Sequence, residues 1–321
     1  MKHAICTLFE GSYDQGVAAL VNSLHKAGFS GRVYAGYRGA RPPWAAAATC
    51  VTLTRWPGAS VMEVAPGLSV AFLPLDTTHH LTNYKPEFML DLLDGPAAGV
   101  EALFYLDPDI CVTAPWSYFE QWVDCGVALC EDLNSPLPEH HPRRVGWRRY
   151  YAPRGLTLRF RAPEYVNGGF VGVAARDRTF LKVWLQTMNL MAEEVGSLAA
   201  ASITAGKAYR SKGFAGCFDT TDQDALNAAI EACGVPISVI GQEAMGFKPG
   251  PALLPHAVGA HKPWQRDYLG FALKGVAPRL ADKAFWAHAA SPIAVKSSFD
   301  RACKGLELAV ASAIGRFVRR T

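Results

Sequence analysis

The sequence has no long apolar run and little excess of charge. No stretch approaches the ~20 apolar residues of a membrane-spanning helix, so no span is predicted. Its 32 lysines and arginines face 28 acids, and the formal net charge of +4 is too small to indicate nucleic-acid binding. An acid, Glu10, follows the amino terminus too closely for a signal peptide. We therefore expect a cytoplasmic protein with no nucleic-acid partner.

Several motifs of other protein classes are also missing. The eight cysteines form no Cys-x-x-Cys pair, which argues against a zinc ribbon or a thioredoxin-like site. Cys6, Cys111 and Cys130 lie in apolar runs and are expected to be reduced, buried thiols. No glycine-rich phosphate loop follows the first predicted strand, which disfavours a nucleotidyltransferase.

Half of the 321 residues are hydrophobic, and predicted strands alternate with helix-length segments. Strands are predicted at 4–9, 31–37, 50–53, 69–73, 102–106, 126–130 and 170–174. Helices are predicted at 16–28, 85–93, 180–192 and 223–233. This alternation predicts an α/β fold with a mostly parallel central sheet flanked by helices. In such sheets ligands bind beyond the carboxyl ends of the strands.

Asp107-Pro108-Asp109 stands where an apolar strand ends. Two carboxylates one residue apart can face one hard cation and leave coordination positions for phosphate oxygens. A tight turn is an alternative, because Asp-Pro-Asp is common turn chemistry. A third interpretation is a haloacid-dehalogenase-type phosphohydrolase with Asp107 as its nucleophile.

The segment from His256 to Trp264 supplies an imidazole, a glycine and a lysine within seven residues. His256 is a candidate third ligand beside the two carboxylates, for Mn²⁺ or Mg²⁺. Gly259 would let the backbone approach phosphates closely, and Lys262 would place a positive charge on a diphosphate. The alternative is a surface loop in which His256 caps a turn.

Two further groups of residues stand near element boundaries. Thr221 or Asp222 can cap a helix predicted to begin here, and the side chains of Asp222 and Gln223 could face a sugar. Asn167, Gly168 and Gly169 begin a predicted strand. The glycines there allow either close approach of a ligand or a β-bulge.

In this order the motifs resemble those of retaining glycosyltransferases of family 8, which include bacterial lipooligosaccharide α-galactosyltransferases and, more distantly, glycogenin. The family pattern is Asp-x-Asp, Asn-x-Gly, Asp-Gln-Asp and His-x-x-Gly-x-x-Lys-Pro-Trp. The matching positions are Asp107 and Asp109, Asn167 and Gly169, Asp222 to Asp224, and His256 to Trp264. The resemblance spans about residues 4 to 267 and implies a GT-A fold with a UDP-sugar donor held through Mn²⁺.

The resemblance also implies roles for individual residues. It implies that Asp107, Asp109 and His256 bind the metal, and that Gly259 and Lys262 contact the diphosphate. The implied donor-sugar contacts are Asn167, Gly168, Asp222 and Gln223. Asp222 and Gln223 are the implied catalytic residues, and Gln223 faces the anomeric carbon in a front-face mechanism that retains configuration. Two departures concern the donor. Thr7, Leu8 and Phe9 replace the usual Ala-x-Asp as nucleobase contacts, and Lys85 stands near the position of a family arginine.

Residues 132–163 carry seven arginines and show no clear period. They are predicted to form an irregular insertion, either an acceptor loop or a solvated surface loop. Its arginines, with Trp147, Tyr150 and Tyr151, would suit a saccharide or an anionic acceptor.

The carboxyl-terminal residues 291–321 are predicted to form a separate amphipathic helix after a catalytic domain at 1–290. One apolar stripe contains Phe299, Cys303, Leu306, Val310, Ala313 and Phe317. Basic residues are Arg301, Lys304, Arg316, Arg319 and Arg320. The helix can contact the anionic inner face of a membrane, or it can pack on the domain or on a partner helix.

The prediction as a whole is a metal-dependent retaining glycosyltransferase that moves a hexose from a UDP-sugar to a glycan or glycolipid acceptor. The alternatives are the phosphohydrolase and a non-catalytic binder of sugar nucleotides.

Overall fold

The computed structural model describes residues 2–200 and 217–317, which form a nine-stranded sheet flanked by helices. The strands are β1 His3–Glu10, β2 Gly31–Arg38, β3 Thr49–Cys50, β4 Ser60–Ala65, β5 Leu68–Pro74, β6 Ala102–Leu106, β7 Val127–Glu131, β8 Val166–Ala174 and β9 Ile237–Ile240. The helices of the described ranges are α1 Asp14–Lys26, α2 Lys85–Leu93, α3 Trp116–Trp122, α4 Pro142–Tyr151, α5 Thr179–Val195, α6 Thr221–Ala232, α7 Tyr268–Leu273, α8 Leu280–Ala287 and α9 Ser298–Phe317.

The strands are arranged in the order β3-β4-β5-β2-β1-β6-β8-β7-β9. Strands β5, β2, β1 and β6 form a parallel block, and β7 and β9 are parallel to each other. Only β4 and β8 run against the other strands of the described sheet. The predicted α/β class, with a mostly parallel central sheet between helices, is confirmed.

Both faces of the sheet are buried, as expected for a parallel sheet between helices. Along β6, Leu103 and Tyr105 face a core shared with α2, α5 and α6, whereas Phe104 and Leu106 face a core shared with α1 and α3. All of these side chains are at most 1% exposed. Strand β6 is therefore held rigidly from both sides, and so is its carboxyl end.

Most predicted elements are found within a few residues of their expected positions, and α2 is found at the predicted bounds. The strand expected at 50–53 is wrong beyond Cys50, because β3 is a two-residue exposed edge strand. The prediction missed β4 and β9, whose side chains are mostly only partly buried and give a weak hydrophobic pattern. It also missed α3, α4, α7 and α8.

The prediction of an irregular segment at 132–163 is wrong where α4 forms. His141 accepts a hydrogen bond from the Arg143 N–H at the start of this helix, and Pro142 is its first residue. Trp147 and Tyr151 are fully buried, so the expectation that they bind an acceptor is wrong. Several of its arginines bind other parts of the chain, among them Arg143, Arg144, Arg148, Arg154 and Arg161.

The carboxyl-terminal helix α9 packs against α7, but not through its apolar stripe. Leu308 and Ala311 are buried against Tyr268 and Ala272. The stripe residues Phe299, Leu306, Val310 and Phe317 remain between 41% and 85% exposed. Arg319 and Arg320 lie outside the described residues. Among the helices of the described ranges, none has the length and hydropathy needed to cross a membrane.

Candidate active site

The site lies at the carboxyl end of β6, in a cavity of about 450 Å³. Asp107 follows this strand directly, and its N–H donates to the Gly169 carbonyl of β8 at 2.8 Å. The chain returns alongside at His256, which forms an isolated β-bridge with Ile110. The Ala257 N–H donates to the Asp109 carbonyl at 3.0 Å. These backbone bonds bring His256 next to the two aspartates, although about 150 residues separate them.

Asp107, Asp109 and His256 form a group that can hold a metal ion. One ligand atom from each lies within 4.8 Å of the others. His256 Nε2 is 3.2 Å from Asp109 Oδ1 and 3.6 Å from Asp107 Oδ2. Two carboxylate oxygens and an imidazole nitrogen are ligands that Mn²⁺ accepts.

Two observations indicate that this space fits a bound ion. His256 Nδ1 is buried without a hydrogen-bond partner in the described residues, so only Nε2 of the ring faces polar atoms of the site. A Cβ at Gly169 would lie 2.5 Å from His256 Cε1 and 2.9 Å from Asp107 Oδ2. Only glycine leaves the space between these ligands free.

A lysine contacts each of the two aspartates. Lys85, 1% exposed, lies 3.2 Å from Asp107 Oδ1 and 2.8 Å from Asp222 Oδ2, and donates to the Gly168 carbonyl. Lys262 lies 2.5 Å from Asp109 Oδ2. Burial opposes the charged form of Lys85, but the two carboxylates raise its pKa above the ordinary lysine value. Both lysines therefore carry positive charge into the site.

Asn167, Gln223 and Asp132 are joined by hydrogen bonds across one wall of the cavity. Asn167 Nδ2 donates to Asp132 Oδ2 at 2.7 Å, and Asn167 Oδ1 accepts from the Gly169 N–H. Gln223 Oε1 accepts from the Gly168 N–H at 3.2 Å. The pairing of β7 with β8 shifts register in this region, so the glycines lie at an irregularity of the sheet. They also pack closely on polar side chains of the site.

Asp224 serves the structure of this wall. It is fully buried, and it accepts hydrogen bonds from the Tyr165 hydroxyl at 2.7 Å and from the Thr220 N–H at 2.8 Å. Burial raises its pKa to about 7, against the opposing effect of Arg143. Its bond to the Thr220 N–H holds the residue that precedes α6, so a structural role accounts for the second acid of Asp-Gln-Asp.

The structure places nearly all of the predicted site residues on one cavity. The predicted residues that line it are Leu8, Phe9, Lys85, Asp107, Asp109, Asn167, Gly168, Asp222, Gln223, His256, Gly259 and Lys262. Thr7 does not line it and is 0% exposed, so the expected nucleobase contact of its side chain is not found there.

Sequence reasoning missed several residues that line the cavity, among them Glu10, Tyr13, His80, Thr82 and Tyr105, and it covered Asp132, Leu133 and Asn134 only as the start of segment 132–163. Asp132 directly follows β7, as Asp107 follows β6, so the same strand-end argument could have found it. Tyr105, whose hydroxyl donates to Asp107 Oδ1 at 2.8 Å, gave no signal beyond a place in an apolar strand.

Comparison with known proteins gives likeness in structure only. No protein-family model and no curated protein matches the chain. The glycosyltransferase GlyE of Streptococcus pneumoniae is 12% identical, with a TM-score of 0.52 over 98% of this chain and 64% of its own. The bifunctional glycosyltransferase WbbM is also 12% identical, with a TM-score of 0.52 over 94% of this chain and 51% of its own. The chain thus spans less than two thirds of either protein.

A third structure is similar over its whole length. The galactosyltransferase LgtC, solved with donor and acceptor sugar analogues, is 15% identical, with a TM-score of 0.50 over 93% of this chain and 99% of its own. The chain has the GT-A glycosyltransferase fold. At these identities the likeness establishes the fold alone, and membership of family 8 stays a prediction.

Proposed function

We propose that this chain is a metal-dependent retaining glycosyltransferase that moves a hexose from a UDP-sugar to a glycan or glycolipid acceptor. The observation that carries the proposal is the meeting of Asp107, Asp109 and His256 at the cavity of a GT-A fold. The two lysines beside these ligands add support, because a diphosphate needs positive charge around it.

The proposed roles follow from where each side chain lies. A divalent ion held by Asp107, Asp109 and His256 would stabilise the charge that develops on the nucleoside diphosphate as it leaves. Lys262 and the Gly259 backbone would contact that diphosphate. Gly259 has φ +89° and open space around its Cβ position, so its backbone is accessible from the cavity.

The sugar would lie against Asn167, Gly168, Asp222 and Gln223. Gln223 is fixed by the Gly168 N–H and would face the anomeric carbon. The acceptor would enter past Leu133 and Asn134, which line the cavity at the start of segment 132–163. A front-face reaction, in which the incoming hydroxyl is assisted by the leaving phosphate, would retain configuration.

The proposal is tested by donor consumption without an acceptor. Purified protein is incubated with UDP-, GDP- and CMP-sugars, with Mn²⁺, with Mg²⁺ or with a chelator, and free nucleotide is measured. We expect slow release of UDP from one UDP-sugar, only with metal, because water can replace the acceptor. Absence of UDP binding would refute the proposal, and phosphate release from simple esters would favour the phosphohydrolase. UDP binding without turnover, even when acceptors are added, would favour the alternative that the protein is a non-catalytic binder of sugar nucleotides.

We further propose that the exposed stripe of α9 contacts an anionic membrane surface, where a glycolipid acceptor would lie. Seven of the ten large hydrophobic side chains recorded as exposed in the described ranges fall between Leu269 and Phe317. At about 100° per residue, the acids of the helix, Asp300 and Glu307, fall outside the stripe, and Glu307 accepts from the Tyr268 N–H of α7. An apolar surface without acids fits an anionic lipid headgroup region.

The change Val310→Glu is expected to weaken binding to vesicles that contain anionic phospholipid by about tenfold. It places a negative charge among lipid headgroups, and the measurement is vesicle flotation at low and high salt. Val51→Glu is the matched control, because Val51 is similarly exposed, at 37% against 41%, on edge strand β3. Equal flotation of both variants and the wild type would contradict the proposal, as would dimers in light scattering that only Val310→Glu dissociates.

A further inference from the structure

The two aspartates of the candidate metal group divide their oxygens in the same way. Asp109 turns Oδ1 to His256 Nε2 at 3.2 Å and Oδ2 to Lys262 Nζ at 2.5 Å. Asp107 turns Oδ2 to His256 Nε2 at 3.6 Å and Oδ1 to Lys85 Nζ at 3.2 Å. Each carboxylate thus already carries a compensating charge on the oxygen away from the imidazole.

The two lysines differ in how firmly they are held. Lys85 has two carboxylate partners and a backbone carbonyl, and its side chain is 2% exposed. Lys262 has one carboxylate, Asp109, and one carbonyl, Ala257, and its side chain is 10% exposed. It also lies 5.5 Å from the centre of the Tyr13 ring on the cavity wall. Of the two, Lys262 has the fewer bonds to break in order to turn toward the cavity.

The position of Lys262 has an electrostatic consequence for any cation bound by Asp109. An ammonium and a divalent ion on one buried carboxylate repel each other strongly, because few waters lie between them to screen the charges. Lys262 therefore opposes metal binding while it stays on Asp109. A nucleoside diphosphate in the cavity offers this lysine another anionic partner and removes the repulsion.

We infer that Lys262 couples metal binding to nucleotide binding, by leaving Asp109 for the diphosphate when both are present. The inference rests on the proposed function, since it takes Asp109 as a metal ligand and a nucleoside diphosphate as the occupant of the cavity. Because such coupling is reciprocal, UDP tightens Mn²⁺ binding by the same factor by which Mn²⁺ tightens UDP binding. Lys262 thus lowers the affinity of the protein for Mn²⁺ when no nucleotide is bound, and raises the affinity for Mn²⁺ when UDP is bound.

The test measures Mn²⁺ binding to the full chain by electron paramagnetic resonance of free Mn²⁺, with and without UDP. Lys262→Met is expected to bind Mn²⁺ about tenfold more tightly than the wild type when UDP is absent. The factor by which UDP tightens Mn²⁺ binding is expected to fall by about tenfold or more in the same variant. Lys262→Arg keeps the charge and is expected to bind Mn²⁺ alone as weakly as the wild type.

Lys274→Met removes an exposed lysine at the end of α7 and serves as the control for lost surface charge. Unchanged or weaker Mn²⁺ binding by Lys262→Met without UDP, in a protein whose wild type binds Mn²⁺ with UDP, would overturn this inference and leave the proposed function standing. A wild type that binds neither Mn²⁺ nor UDP would overturn both.

Discussion

Asp109→Asn is expected to lower metal-dependent release of UDP from the donor sugar by at least about 10³-fold. The change keeps the shape of a side chain that is 4% exposed but removes the negative charge that faces His256 and Lys262. Burial opposes ionisation of this carboxyl, yet its interactions with His256 and Lys262 hold its pKa well below the usual range. Asp109 is therefore ionised near neutral pH, and Asp109→Asn replaces a charged metal ligand with a neutral amide.

Three measurements separate lost chemistry from lost folding. Nucleotide release is compared for the wild type, Asp109→Asn and Asp124→Asn, whose side chain is 71% exposed before β7, at the opposite end of the sheet. Circular dichroism and thermal unfolding show whether each variant folds. His256→Ala is expected to repeat the loss, because it removes the ligand supplied by the returning chain. A folded Asp109→Asn variant that releases UDP at the wild-type rate would show that Asp109 is not needed for the reaction.

The sequence was sufficient to predict the strand-end aspartates, because β6 is buried on both faces and its apolar run is unbroken up to Asp107. It was also sufficient for α2 and α5, which have clear apolar faces in contact with the core. The fold class followed from the alternation of such runs. The place of His256 beside the two aspartates was predicted, but the contacts of Lys85 and Lys262 with the aspartates were not, because they join distant parts of the chain.

Segment 132–163 shows the opposite failure. Its arginines indicate a solvated or ligand-binding loop by composition alone, yet Arg144 is 1% exposed. A buried arginine is invisible to a hydrophobic pattern when its partner, Glu231, lies far away in sequence on α6. The same argument applies to Asp224 and Tyr165, which join α6 to the start of β8. Buried polar pairs therefore limited the prediction. The arginines were assigned to acceptor binding, whereas the structure shows that some of them hold parts of the chain together.

Arg144 fastens α4 to the wall of the site through every nitrogen of its guanidinium group. Nε donates to the Leu137 carbonyl at 2.6 Å, one terminal nitrogen donates to the Glu231 carboxylate at 2.5 Å, and the other donates to the Glu164 carbonyl at 2.6 Å. The Glu231 side chain is 0% exposed. Because Glu231 belongs to the helix that begins with Asp222 and Gln223, this clamp holds the insertion against the proposed sugar-binding residues.

Arg144→Met is expected to lower the free energy of unfolding by about 3 kcal/mol, because it leaves the buried Glu231 carboxylate with only the more distant Arg148, at 3.5 Å, as a charged partner. Urea denaturation measures the loss. The double variant Arg144→Met, Glu231→Leu is expected to recover part of it, since the buried carboxylate is gone, although the partly exposed Arg148 loses its partner and the Leu137 and Glu164 carbonyls still lack a donor. Arg176→Met is the matched control, because Arg176 pairs with Asp124 at the surface, and its loss is expected to stay within about 1 kcal/mol. Equal losses for Arg144→Met and Arg176→Met would show that Arg144 is not a buried clamp.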